Sequence, residues 1–317
     1  MYNEDIKKRF VEDYSSAKSS QAACVRLFNA TEPFEREWNA DICTRPTEDI
    51  QTMLDSVAGL TVDSRYAQVA ILKKYGKWCL TCRIPKASDG ILGISHFIGG
   101  LDAIRREMVA NPVQLQEFLD CVFSPEEMEN YDNIYRVYCW LHFMGIPKDM
   151  VMSVDSDLLD FEELTLSVNG QKYEIYSESI PAFRKAAELT YFTYNRNGRL
   201  LPNRRIPGSN IMRGIRSIPS EKTIWNRISF KNQLASERNS KVKNLSCSRI
   251  RQSGIFFRML QRETRGFSVD FIEVAIDGMR EKECTDEAHR STYEKTLYKY
   301  IWRYKTEYER WKLAFSL

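Results

Sequence analysis

Apolar positions recur at helical spacing along most of the chain. Ile6, Phe10 and Tyr14 fall on one helical face, as do Ile50, Met53, Leu54 and Val57. After a break at Gly59–Ser64 the pattern resumes in "SRYAQVAILKKYGKWCL", with Ser64 as N-cap and Val69, Leu72, Tyr75 and Cys79 along one side. Lys73, Lys74 and Lys77 lie largely off that side, as a solvated face or as phosphate contacts. "RIPKASDGILGISHFIGG" mixes Pro, Gly and Ser like a linker, and a helical stretch begins near Leu101. "PVQLQEFLDCVF" and "NIYRVYCWLHFMG" read as two helices, the second stopped by Gly145 with Pro147 behind it.

Period two appears in "ELTLSVNGQKYEIYSES", where Leu164, Leu166 and Val168 alternate with polar residues, Asn169-Gly170 supplies the turn, and Tyr173, Ile175 and Ser177 return. It is the one clear hairpin in the pattern, and "NRNGRLLPNRRIPGSN" reads as a loop. "SEKTIWNRISFKNQLASERN" places Ile224, Ile228 and Leu234 inward and Arg227, Lys231 and Arg238 on an outward stripe. In "LSCSRIRQSGIFFRML" and its continuation, Arg251, Arg258, Arg262 and Arg265 share a stripe opposite Ile250, Phe257 and Leu260. Leu297, Ile301, Tyr304, Tyr308, Trp311 and Phe315 make a closing amphipathic helix with an aromatic face, expected to pack on its own domain. The prediction is a mainly α protein with a small β-hairpin.

Length and composition fit two globular domains: 317 residues, 43% hydrophobic and 28% charged. No 18-residue apolar run is present, and "MYNEDIKKRF" lacks the apolar core of a signal peptide, so no membrane partner and a cytoplasmic location are expected. The eight cysteines are scattered and read as reduced, mostly buried thiols. Cys79 and Cys82 form the one close pair, and His96, His142 and His289 stand apart in sequence, so neither a metal site nor another cofactor is predicted.

Net charge is only +3, but it is distributed unevenly. Residues 96–194 carry 7 basic against 17 acidic side chains. Residues 195–265 carry 17 Lys and Arg against Glu221, Glu237 and Glu263, a net of +14. A solvated face normally mixes both signs, so a segment this lopsided marks a polyanion partner, double-stranded DNA first. Its arginines suit phosphate oxygens and guanine edges. Predicted contacts are Lys73, Lys74, Lys77, Arg199, Arg204, Arg205, Arg213, Arg216, Lys222, Arg227, Lys231, Arg238, Lys241, Lys243, Arg249, Arg251 and Arg258.

A helical N-terminal unit, a linker, a Gly-terminated helix, an Asn-Gly hairpin and the segment Leu245–Ser253 together resemble the tyrosine recombinases, the phage integrase fold. The family's box L-[ST]-P-H-x-L-R-x-[ST] aligns with "LSCSRIRQS", which keeps Arg251 and has Ser248 in place of the histidine. Lys172 takes the hairpin lysine position, and the first catalytic arginine is replaced by Pro147 or Lys148. No late L-G-H box precedes Tyr293, Tyr298, Tyr300 and Tyr304, the candidate nucleophiles. Losing one arginine and both imidazole positions would cripple phosphoryl transfer, since one oxyanion-type donor alone is worth ~10²–10³ in rate. Lys172, Ser248 and Arg251 are therefore expected to be vestigial, and the chain not to be an enzyme.

Among recombinase-like proteins, "LKKYGKWC", "YRVYCWLHFMGIP" and "IMRG" followed by "LSCSRIRQSGIFFRML" are most similar to the MrpR-type lytic-cycle repressors of SPβ-like phages. The resemblance implies a core-binding domain over residues 1–88, a linker at 89–110 and a degenerate catalytic-like domain at 111–317. It implies operator binding that maintains lysogeny, in the nucleoid of a bacterial host. An active, divergent recombinase is the alternative, and self-association or an antirepressor partner is left open.

Overall fold

The computed structural model describes residues 1–57, 62–94, 101–123, 131–196, 199–239, 242–243, 245–278 and 290–317. The chain forms two compact units, Met1–Ile104 with Phe271–Leu317, and Arg105–Asp270. Residues 271–317, expected to belong to a 111–317 domain, thus cluster with the N-terminal unit. Among the described residues no helix is long and apolar enough to cross a membrane.

The first unit contains α1 (Glu4–Tyr14), α2 (Lys18–Trp38), α3 (Thr47–Val57) and α4 (Val62–Thr81) and, after the helices of the second unit in chain order, α11 (Phe271–Gly278) and α12 (Arg290–Phe315). Phe10, Phe28 and Tyr75 meet edge to face at centroid distances of 5.0–5.9 Å, and Leu54, Leu72 and Cys79 are fully buried beside them. Ser64 does not cap α4: the helix already runs from Val62. The aromatic face of α12 is real, with Tyr304, Tyr308 and Trp311 buried. It packs on α11 and α4, with Phe271 and Tyr308 rings 6.1 Å apart and Tyr66 and Trp302 rings 5.6 Å apart.

The second unit is organised around α7 (Asp132–Met144). From Val137 to Met144 every residue is buried, which marks a central helix and not an amphipathic surface one. Gly145, at φ 87°, closes α7: its N–H donates to the His142 carbonyl and the Ile146 N–H to the Leu141 carbonyl, as the left-handed C-terminal motif requires. α5 (Leu101–Glu107) and α6 (Pro112–Val122) precede it, α6 capped by Asn111, whose side chain accepts from the Gln114 N–H at 2.9 Å. α8 (Ile180–Glu188) and α10 (Cys247–Thr264) pack against α7, and α9 (Glu221–Arg238) against α6.

The predicted hairpin is present as β2 (Thr165–Val168) and β3 (Gln171–Glu174), with β1 (Leu159–Asp160) added antiparallel at its edge. Asn169 and Gly170 take φ 49° and 78°, the two left-handed residues that a tight two-residue turn needs. Leu166 and Val168 are buried; Leu164 lies outside the strand and is exposed. A second hairpin replaces the predicted loop at 195–210: β4 (Tyr191–Arg196) pairs with β5 (Arg199–Arg204) from Tyr191↔Arg204 to Arg196↔Arg199. Pro202 is tolerated because this two-stranded ribbon has no further strand to accept from it.

Candidate nucleic-acid interface

Six of the seventeen predicted DNA contacts hold the second unit together. Arg205 is 3% exposed, and its guanidinium donates to four backbone carbonyls: Arg213 at 3.0 Å, Ala186 at 2.7 Å, Leu189 at 2.8 Å and Ile211 at 2.7 Å. Burial, aided by neighbouring Arg213, lowers its pKa to about 10. Arg213 is buried as well and donates to the Asn210 carbonyl at 2.9 Å. Lys231 pairs with Asp132 at 3.2 Å, with both side chains about nine-tenths buried. Lys243 reaches the Arg105 carbonyl in the last turn of α5 and the Met108 carbonyl just beyond it.

Arg251 and Arg258 serve the C-terminal end of α7. Arg251 donates to the Ile146 carbonyl at 2.6 Å, and Arg258 to that of Phe143. A helix leaves its last carbonyls without intrahelical partners, and cations are favoured at that end by the helix dipole. The spacing of Arg251 and Arg258 suggested an outward stripe, but α10 lies so close to α7 that their side chains turn onto it. Gly254 allows that approach: a Cβ there would sit 1.8 Å from the Phe143 carbonyl oxygen. The buried row on α10 is Ile250, Ser253, Phe256 and Met259, whereas Phe257 and Leu260 are only half-buried. On α9 the inward row is Ile224, Ile228, Asn232 and Ala235, with Leu234 half-buried.

The other predicted cations face solvent to a greater degree. Arg204, Arg216, Lys222, Arg227 and Arg238 are exposed, as are Arg262 and Arg265. Arg249 is half-buried and bonded to Gln252. In the first unit Lys77 is exposed, Lys73 half-buried, and Lys74 exposed with its ammonium 4.8 Å from the Tyr14 ring centre. Lys241 and the side chain of Arg199 lie outside the described residues.

A cavity of about 460 Å³ opens in the second unit where α7 meets the starts of α9 and α10. Tyr138 and His142 of α7 line it, with Lys148 from the loop beyond. Glu221, Lys222 and Trp225 enter from α9, and Ser246, Cys247, Ser248 and Arg251 from α10. Both incoming helices are capped by serine: Ser220 accepts from the Thr223 N–H and Ser246 from the Arg249 N–H. Ser248 and Arg251, two positions carried over from the recombinase pattern, are thus brought to one cavity with Lys148, one of the two residues (Pro147 or Lys148) at the first-arginine position. Lys172 is exposed on β3, opposite Ser167, and is not part of this lining. Of the candidate nucleophiles, Tyr298, Tyr300 and Tyr304 sit on α12 in the first unit, and the side chain of Tyr293 is outside the described residues.

His142 was isolated in the sequence but has chemical company in the fold. It is 1% exposed, and neither ring nitrogen has a hydrogen-bond partner among the described residues. Burial, with Arg251 and Lys148 nearby, lowers its pKa to about 3, so the imidazole is neutral. Cys247 is raised to about 11 by burial, and Tyr138 is raised too, chiefly by burial and by Cys247. Tyr138 Oη donates to Glu221 Oε1 at 3.0 Å and lies 3.8 Å from Cys247 Sγ. Separations of 79 and 26 residues along the chain hid this cluster from any spacing rule.

The family model of the MrpR N-terminal core-binding domain matches residues 1–81. That span covers α1 to α4, the helical unit read from the apolar pattern. Among curated proteins, none matches the chain.

Proposed function

We propose that this protein is a sequence-specific double-stranded DNA-binding repressor of phage lytic genes, built on a recombinase-like scaffold that no longer transfers strands. The match of residues 1–81 to the MrpR core-binding domain carries the reading, because it favours a phage DNA-binding regulator over other users of a basic surface. The +14 segment at 195–265 supports it with exposed Arg204, Arg216, Lys222, Arg227 and Arg238. Each neutralised phosphate releases counterions, so binding falls steeply with salt. Loss of catalysis is inferred from Ser248 in the imidazole position and from Pro147 or Lys148 standing where the first arginine belongs.

The competing reading is a divergent recombinase, favoured by the meeting of Arg251 and Lys148 at one cavity. Footprinting over prophage lytic promoters at two salt concentrations, with a suicide-nicked version of any protected site, separates the two. The repressor protects discrete, salt-sensitive sites and leaves no covalent adduct. A tyrosyl–DNA adduct overturns the inactive reading, and failure to protect any promoter overturns repression.

A further inference from the structure

His142, Glu221 and Cys247 offer an imidazole nitrogen, a carboxylate oxygen and a thiol sulfur that all lie within 4.8 Å of one another. We propose that these three side chains form a site for a divalent transition metal of the zinc class, which pins the starts of α9 and α10 to α7. The proposal is independent of DNA binding.

Tetrahedral zinc with bonds of about 2.0–2.3 Å sets its donors roughly 3.3–3.8 Å apart, within reach of small side-chain rotations here. A buried imidazole with neither nitrogen hydrogen-bonded among the described residues is costly, and a metal satisfies one of the two. Its neutrality leaves a nitrogen lone pair to donate. On binding, the Cys247 thiol gives its proton to solvent and a sulfur–metal bond forms, so thiolate and the Glu221 carboxylate balance the two positive charges of the ion. Lys148 stands 3.8 Å from Glu221 with its side chain 72% exposed, so it can withdraw into solvent. Tyr138, already donating to Glu221, is placed to orient that ligand. Three protein ligands beside an open cavity leave a fourth position for water.

The test is a Co²⁺ titration of the full chain, stripped with chelator and kept reduced. One equivalent is expected to give thiolate-to-cobalt charge-transfer absorption that Zn²⁺ then bleaches. Cys247→Ser abolishes the band, whereas Cys121→Ser and Cys82→Ser, at exposed thiols, keep it. Glu221→Gln, at a partly exposed helix start, retains the fold and weakens binding at least about tenfold. Zn²⁺ raises the unfolding midpoint of the wild type but not of Cys247→Ser. Absence of the band, or its survival in Cys247→Ser, overturns the site.

Discussion

Lys231 Nζ lies 3.2 Å from Asp132 Oδ2, joining the middle of α9 to the first turn of α7 through a largely buried ion pair. Removing one partner strands the other charge in a poorly hydrated site, which costs about 3–5 kcal/mol. Lys231→Ala is therefore expected to lower the urea midpoint strongly, and the slope of log Kd against log salt stays at the wild-type value wherever the variant remains folded. Arg227, exposed one turn earlier on α9, gives the opposite result. Arg227→Ala leaves stability within about 0.5 kcal/mol and reduces the salt slope by about one phosphate's worth. Paired chemical-denaturation and salt-titration measurements on the two variants decide it.

Arg205 supplies a second contrast, between shape and charge. Its fork satisfies four carbonyls in three directions, and an ammonium carries only three donors on a point charge. Arg205→Lys is expected to lose about 2–4 kcal/mol despite conserving the positive charge, because buried carbonyls are left unbonded. Thermal unfolding of the variant tests this; a wild-type midpoint would contradict the structural role.

Which of these cations would bind inward was not legible in the sequence. Charge counting located the segment, and the Asn-Gly pair located the first hairpin with its turn. A helical wheel, however, cannot tell a guanidinium that meets phosphate from one that meets an orphan carbonyl, since both are oxygen acceptors. The decision rests on how closely α10 approaches α7, a distance set by Gly254 and invisible to periodicity. Pro202 and the surrounding Asn and Gly disguised the second hairpin, whose pairing needs no side-chain alternation. The His142 cluster depends on three elements meeting, so no local pattern announced it.

Gly254→Ala should separate the two helices that Arg258 bridges. Its methyl group would lie 1.8 Å from the Phe143 carbonyl oxygen, a backbone atom that cannot rotate aside. A loss of about 2–3 kcal/mol is expected from overpacking. Gly266→Ala, at φ 83° with nothing within 4 Å of the added carbon, costs about 1 kcal/mol from backbone strain alone. Comparing the two denaturation midpoints separates packing from conformational preference.

Lys7 and Glu35 form a fully buried ion pair in the first unit, with Glu35 also accepting from the Ile42 N–H at 2.9 Å. Burial raises the Glu35 carboxyl above its ordinary value of 4.5, against the pull of Lys7. With the pKa raised in the folded state, the associated stability is complete below 4.5 and is lost as pH rises through the folded value. Lys7→Met removes the opposing charge and raises the carboxyl further. It is expected to cost about 3–5 kcal/mol at neutral pH and to recover part of that on acidification, while Lys7→Met with Glu35→Gln shows no such recovery. Denaturant midpoints across the acidic range measure it.

Because Phe271–Leu317 cluster with Met1–Ile104, the second unit is an insertion within the first, and the chain passes between units twice. The ribosome makes the core-binding helices before the inserted unit and α11 and α12 after it, although Trp302 of α12 meets Tyr66 of α4. The apolar core around α1 to α4 draws on residues up to Ile94 alone, so it can close before the insert is made, whereas α11 and α12 join that unit only after it. A chain without residues 271–317 would keep that core and the insert, but would leave Tyr66 of α4 without its Trp302 ring partner.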